Sequence, residues 1–389
     1  MSFWTRKTNE LRKSQNFYYY FRPIAIFCRI LGVLPLKNLN DCSCQSLEFR
    51  YLSASTIYTL FLFIVCTGVS LYFFDFTNLE ANILKSSEAV MWRFVVIALM
   101  IARAFMYCFF CVNRSKKYVK LIKLLDLFDK EKNKKNRKTS IVKDDSGLIS
   151  KVIIPVLIGG VTTAVTLVDF VTFCYLTLIH VNSQQFPSIW YVSFAILGLW
   201  QVLPLYLYIY FAFAVKNNFK TINKICLELI PIRKMYLAPE EHQPPSNMKE
   251  ILRDIRLLYV LMIDTVKSLN SSYGVFLAID QFYIIVTFVV NLYVFFFTSN
   301  KDMNLLYFLV VNVSVILAMV FVSHDITGEA NKIAELMQKL PVASLDMDSK
   351  LEIQMLLSQI FATPIHISAA GYFKMDREQI PSVSLRIYQ

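Results

Sequence analysis

Glycine is scarce at nine residues, proline at twelve, and only 17% of the chain is charged. The first two numbers exclude collagen-like and low-complexity sequence. Low charge with high apolar content excludes a disordered chain and opposes a soluble enzyme, for which about 25% charge is usual. The four histidines, His180, His242, His324 and His366, show no metal-ligand spacing. There is no glycine-rich phosphate loop and no nucleophile elbow. The chain is therefore expected not to be an enzyme and to need no metal and no cofactor. None of the cysteines (Cys28, Cys42, Cys44, Cys66, Cys108, Cys111, Cys174, Cys226) falls in a segment expected outside the cell, which excludes an external disulfide framework. Cys42 and Cys44 lack partner ligands and read as reduced cytosolic thiols, while Cys108 and Cys111 lie on an apolar segment and read as small hydrophobes. The absence of an internal repeat opposes a transporter built from two homologous halves.

What the chain has is apolar surface. Hydrophobic residues make up 56%, with 32 Phe and 21 Tyr, and the mean hydropathy is +0.48. A hydrocarbon core about 30 Å thick needs about 20 apolar residues in a helix. Six stretches meet or approach that: Ala54–Phe74, Ala89–Val112, Val152–His180, Tyr191–Val215, Ser272–Phe297 and Leu305–Val322. The expected fold class is all-α, a polytopic membrane helix bundle. Of the 40 Lys and Arg, 36 fall in the N-terminus and in alternate connecting segments that share one side, and only Lys85 and Lys301 fall on the other. Positive residues stay inside, so both tails are expected in the cytoplasm of a multi-pass plasma-membrane protein. The net charge of +12 then reports orientation and anionic lipid contact, not nucleic-acid binding.

The organisation follows. Residues 1–53 form a cytoplasmic N-terminal segment, 54–322 the six-span bundle with long cytosolic loops at 113–151 and 216–271, and 323–389 a cytoplasmic helical tail. Phe17–Leu36 is apolar but interrupted by Arg22, Pro23, Arg29 and Pro35. It reads either as an amphipathic helix on the inner leaflet or as a buried cytosolic helix under the bundle. Glu131–Lys138 (EKNKKNRK) reads as a solvated loop. Helical periodicity at Phe219, Ile222, Ile225 and Cys226, and at Ile251, Ile255, Leu258 and Val260, extends the fourth and fifth spans beyond the bilayer. Sequons at Asn113, Asn270 and Asn312 lie in the cytosol or in a span and are expected to stay unglycosylated.

Polar groups inside spans are costly and point to function. Arg103 and Asp280 lie roughly 14 Å and 12 Å from the cytosolic ends of their helices at 1.5 Å per residue. They are expected either to pair across the second and fifth spans or to face water and backbone separately. In the outer halves, Trp92, Arg93, Tyr175, His180, Trp190, Asn291, Tyr293, Tyr307 and Asn312 combine rings with hydrogen-bonding groups. That set suits a pocket for a small amphipathic ligand. An interfacial aromatic belt is the alternative for each of them.

A basic segment after the second span, short external loops and an inside N-terminus form a recognisable plan. Added to it are Arg29–Pro35 (RILGVLP), Glu329–Leu340 (EANKIAELMQKL) and Leu357–Met375 (LSQIFATPIHISAAGYFKM). Together they resemble the insect gustatory receptor family. The resemblance implies a tastant-gated cation channel, assembled as a homo- or hetero-tetramer of related receptors, with a small-molecule tastant and membrane lipids as partners. It also implies a seven-span plan whose last helix carries Thr-Tyr and Gln-Phe. Only 14 residues follow Met375, so that helix is expected to be missing and the subunit to be nonconducting as given. A secondary transporter or another multi-span protein without channel activity is the alternative. A G-protein-coupled receptor is opposed by the distribution of charge, cysteine and sequons.

Overall fold

The computed structural model describes residues 17–39, 41, 43–81, 87–139, 188–236, 248–297, 303–340 and 345–377. They are almost wholly helical: α1 Phe17–Ile30, α2 Ala54–Ala81, α3 Ser87–Thr139, α4 Ser188–Tyr236, α5 Met248–Phe297, α6 Met303–Gln338 and α7 Met347–Ala362. A two-stranded antiparallel hairpin, β1 Ser368–Ala369 with β2 Phe373–Lys374, follows α7. Two compact units are present, one of residues 18–119 and 152–208, the other of residues 1–17, 120–151 and 209–389. The expected third span, Val152–His180, lies outside the described residues. Among residues described with their side chains, Met248–Val289 is long and apolar enough to cross a membrane, and Ala54–Val69 is a shorter apolar helix.

In the first unit, α1 ends where the sequence punctuates it. Gly32 takes φ +73°, the Gly32 amide donates to Arg29 O at 3.0 Å, and the Val33 amide donates to Cys28 O at 2.8 Å. This is a Schellman closure, which needs a residue free to adopt left-handed backbone, and Pro35 bars any continuation. The remaining carbonyls are met from neighbouring helices. Tyr58 Oη donates to Ile30 O at 2.8 Å, and Trp200 Nε1 donates to Leu31 O at 2.7 Å. A Cβ on Gly32 would sit 3.0 Å from Trp200 Cζ2. One face of α1 is buried through Tyr18, Phe21, Ala25 and Cys28, while Tyr19, Phe27 and Ile30 on the other are exposed. The helix thus packs against its neighbours along one face and presents an apolar face outward along the other.

Two expectations change. Glu131–Lys138 is not a loop, because α3 continues as helix to Thr139 over 53 residues. No Gly or Pro occurs between Ser87 and Thr139, and Lys, Arg and Glu are good helix formers. Tyr118, Leu121, Ile122, Leu125 and Phe128 supply a buried face at helical spacing. The C-terminal tail is likewise not helical throughout. Pro364 and the β-branched Ile365 and Ile367 stop α7 and lead into the hairpin. The hairpin's three-residue turn holds Ala370 at φ 55° and Gly371 at φ 82°.

The extended periodicity on either side of residues 237–247 does form helix. On α4, Phe219, Ile222 and Cys226 are buried, and on α5, Leu252, Ile255, Leu258, Tyr259 and Met262 are. Phe219 and Tyr259 stack edge to face at 6.3 Å.

Candidate functional site

In the second unit, residues 346–376 run along α5 in the direction of α5. Lys249 Nζ pairs with Asp348 Oδ2 at 2.6 Å. Arg256 Nε pairs with Glu352 Oε2 at 2.7 Å, both largely shielded. Asn270 Nδ2 donates to His366 O at 2.9 Å and its Oδ1 accepts from the Ser368 amide at 3.2 Å. Gln281 Nε2 reaches Met375 Sδ at 3.0 Å. From Lys249 to Gln281 the rail is about 48 Å long at 1.5 Å per residue. Between these contacts sits Gly274, where a Cβ would lie 2.8 Å from Ala370 N and 3.2 Å from Ser368 O. A side chain there would push the hairpin off the helix. The rail starts from a capped helix: Asp346 accepts from the Ser349 amide at 3.3 Å.

This strap ends in a charged junction. Asp376 Oδ1 meets His324 Nδ1 of α6. Its neighbour Arg377 donates to Asp325 Oδ1 at 3.2 Å, and its guanidinium lies over the Phe321 ring at 4.9 Å. Asp325 Oδ2 also receives Lys216 Nζ of α4 at 2.5 Å. Farther along the same helices, Asn223 Nδ2 donates to Glu329 Oε2 at 2.8 Å and to Glu329 O at 2.9 Å. The end of the strap is therefore tied to α4 and α6 as well as α5. Burial pushes the Asp376 carboxyl upward. Hydrogen bonds from His324 and the Arg377 amide outweigh it, with the charges of His324 and Lys374 adding to them, and hold the carboxyl below the ordinary range.

The residues expected to line an outer pocket are not brought into view. Trp92, Arg93, Trp190, Asn291, Tyr293, Tyr307 and Asn312 lie on α3, α4, α5 and α6, but their side chains are outside the described residues, as are Tyr175 and His180 altogether. Asp280 is fully buried on α5, and the Arg103 side chain lies outside the described residues. Among the described residues no group of His, Cys, Asp and Glu could hold a metal ion.

The junction was missed by reading the sequence. Its signal was present as two adjacent charged pairs, His324-Asp325 just past an apolar run and Asp376-Arg377 after the hairpin. Nothing local says that the two pairs meet.

The sequence model of one family, described as 7tm chemosensory receptor, matches residues 21–384. No curated protein matches the chain. The structure of the insect olfactory receptor OR5 from Machilis hrabei superposes with a TM-score of 0.68 at 11% identity, over 97% of this chain and 96% of that one. The structure of the same receptor in complex with eugenol gives 0.66 at 11% identity, over 95% and 96%. At that identity the likeness is one of fold.

Proposed function

The chain belongs to the 7tm chemosensory receptor family, and from that premise we propose that it is a gustatory receptor, a subunit of a tastant-gated cation channel. The family is one of membrane-embedded receptors and not of enzymes. In this reading the chain crosses the plasma membrane with its N-terminus in the cytoplasm and assembles as a homo- or hetero-tetramer with related receptors. The ligand is a small molecule with an aromatic or apolar body and a hydrogen-bonding group. Eugenol, bound by the olfactory receptor of like fold, is of that chemical kind. Trp92, Arg93, Tyr175, His180, Trp190, Asn291, Tyr293, Tyr307 and Asn312 would receive it in the outer half of the bundle. Arg103 and Asp280 would form a charge pair at mid-depth that fixes the packing of α3 and α5.

The observation that carries the reading beyond the family match is the strap. Residues 346–376 lie along α5, and Asp376 and Arg377 clasp α6 at His324 and Asp325. A shift of α5 or α6 on ligand binding would be passed to the chain after Arg377 through these contacts. A ligand that binds one arrangement of these helices better than another shifts their populations. At concentrations from ten micromolar to millimolar this requires only about 4–7 kcal/mol of binding. The test is current evoked by a panel of small amphipathic tastants in cells displaying the chain alone and together with a related receptor, with ligand-induced thermal stabilisation of purified protein measured in parallel. Evoked cation current with stabilisation supports the proposal. Stabilisation without current in both settings removes the channel half of it, and ligand flux without current favours a transporter.

A further inference from the structure

At the end of the strap two carboxylates are served unequally. Asp325 receives two permanent cations, Lys216 Nζ at 2.5 Å and Arg377 at 3.2 Å. Asp376 Oδ1 accepts from the Arg377 amide at 2.6 Å and meets His324 Nδ1. Among the described residues no lysine or arginine side chain pairs with Asp376. Its carboxyl is held below the ordinary range, so it is ionised at and around neutral pH. His324 therefore decides whether this carboxylate faces a full positive charge. Imidazole is the side chain that changes charge between about pH 5 and 8. In the neutral ring the proton must lie on Nδ1 to bond Asp376, which leaves Nε2 to take up a second. The His324 and Asp376 side chains are 36% and 33% exposed, so solvent exchanges protons with the pair. The other charges lie on three elements. Asp325 is next to the ring on α6, Lys216 is turned to Asp325 from α4, and Arg377 and Lys374 come from the strap. α5 contributes the neutral Gln281 at Met375, next to the fully buried Asp280. The cations oppose a further positive charge, but Lys216 and Arg377 are compensated at Asp325. Direct contact with Asp376 outweighs Lys374, which makes no ion pair here, because Coulomb energy falls with separation.

We propose that His324 is a proton-operated latch for the strap: its protonation at mildly acidic pH turns the hydrogen bond to Asp376 into an ion pair and holds residues 366–376 more firmly on α5 and α6. The sign follows from linkage. A proton that binds the docked strap better than the released one favours docking by the same factor. Docking therefore tightens as pH falls through the imidazole range, before Asp376 itself loses charge below about pH 4. The pair of Arg377 with Asp325 carries permanent charge on the basic side and holds the strap throughout this range. His324 thus adjusts the docking and does not create it. The latch needs only the contacts of the second unit. Its consequence, a ligand response that varies with cytosolic pH, rests on the channel reading above, in which α5 and α6 act through the strap.

Hydrogen exchange of the purified full chain, at about pH 7.5 and about pH 6 on either side of the ordinary imidazole titration, reads the latch directly. The reporters are the amides of Ser368 and Met375, bonded to Asn270 Oδ1 at 3.2 Å and to Ile367 O at 2.9 Å. Their protection factors divide out the intrinsic pH dependence of exchange. Wild type is expected to gain about two- to fivefold in protection at the lower pH, the scale of a partly exposed ion pair. His324→Gln keeps a donor for Asp376 but does not titrate, and should hold the neutral-pH protection at both values. His324→Lys carries its charge throughout and should show the higher protection at both. His366→Gln removes the strap's own histidine, whose Nδ1 lies 3.2 Å from Pro364 O, and should respond as wild type does. Thermal melting of each variant at neutral pH shows that it folds. Unchanged or reduced protection of wild type at the lower pH, a response retained in His324→Gln, or a response lost equally in His366→Gln would each overturn the latch. Docking is read without ligand or current, so the latch and the channel reading can fail independently.

Discussion

Asn270 holds the C-terminal hairpin by both ends of its side-chain amide, with Nδ2 donating to His366 O at 2.9 Å and Oδ1 accepting from the Ser368 amide at 3.2 Å. A residue that is formally a glycosylation sequon is thereby a structural clamp, its side-chain amide taken up by the backbone of the hairpin. Asn270→Ala is expected to destabilise hairpin docking by about 1–3 kcal/mol, the usual result of leaving shielded backbone groups without their partner. Limited proteolysis at residues 366–372 of the purified protein should accelerate accordingly. Asn270→Asp keeps the acceptor, loses the donor and should fall between.

Two glycines predict opposite outcomes for the same substitution. A Cβ on Gly274 meets Ala370 N at 2.8 Å, whereas one on Gly328 meets nothing within 4 Å. Gly274→Ala should therefore destabilise by about 1–3 kcal/mol through overpacking against backbone that cannot rotate away. Gly328→Ala, within α6, should stabilise by up to about 1 kcal/mol through helix propensity. Melting temperatures in detergent should move apart in those directions.

Asp376 predicts the acid response of the strap. Its folded-state pKa is lowered from 3.8. A depressed carboxylate contributes stability that is present above its unfolded pKa and is lost as pH falls through the folded one. The carboxylate's own share of the docking of residues 363–377 should thus be fully present at neutral pH and be lost only below about pH 4. Asp376→Asn should show weaker docking at neutral pH and lose its part of the acid dependence. Protease susceptibility followed against pH checks both.

Thiol reactivity tests the packing of two helices far apart in sequence. Burial pushes both the Cys28 and the Cys226 thiol up to about 12, and neither is exposed. At neutral pH in the folded protein both should resist alkylation, since the thiolate is the reactive form. Peptide mapping after labelling with and without denaturant should find them modified only in denaturant.

Much of the helical frame was legible because its signals are local. Pro35 interrupts the run from Phe17, and the spacing of Phe219, Ile222 and Cys226 marks the continuation of α4. The helical run through Glu131–Lys138 was hidden by its charge: composition suggested solvent, while the buried stripe from Tyr118 to Phe128 and the lack of Gly or Pro decide for helix. The hairpin was obscured by its brevity, since two residues per strand leave no alternation to read. The junction of His324, Asp325, Asp376 and Arg377 depends on partners 52 residues apart, and periodicity carries no information at that range. Only the docking of the strap along α5 brings them together.

The account depends on which side of the membrane the N-terminus occupies. Epitope tags placed before Met1 and next to Lys301, in separate chains, can be probed with antibody on intact and permeabilised cells. The expected result is labelling at Lys301 in intact cells and at the N-terminus only after permeabilisation. Labelling of the N-terminal tag on intact cells would contradict the proposed orientation and the receptor mechanism built on it.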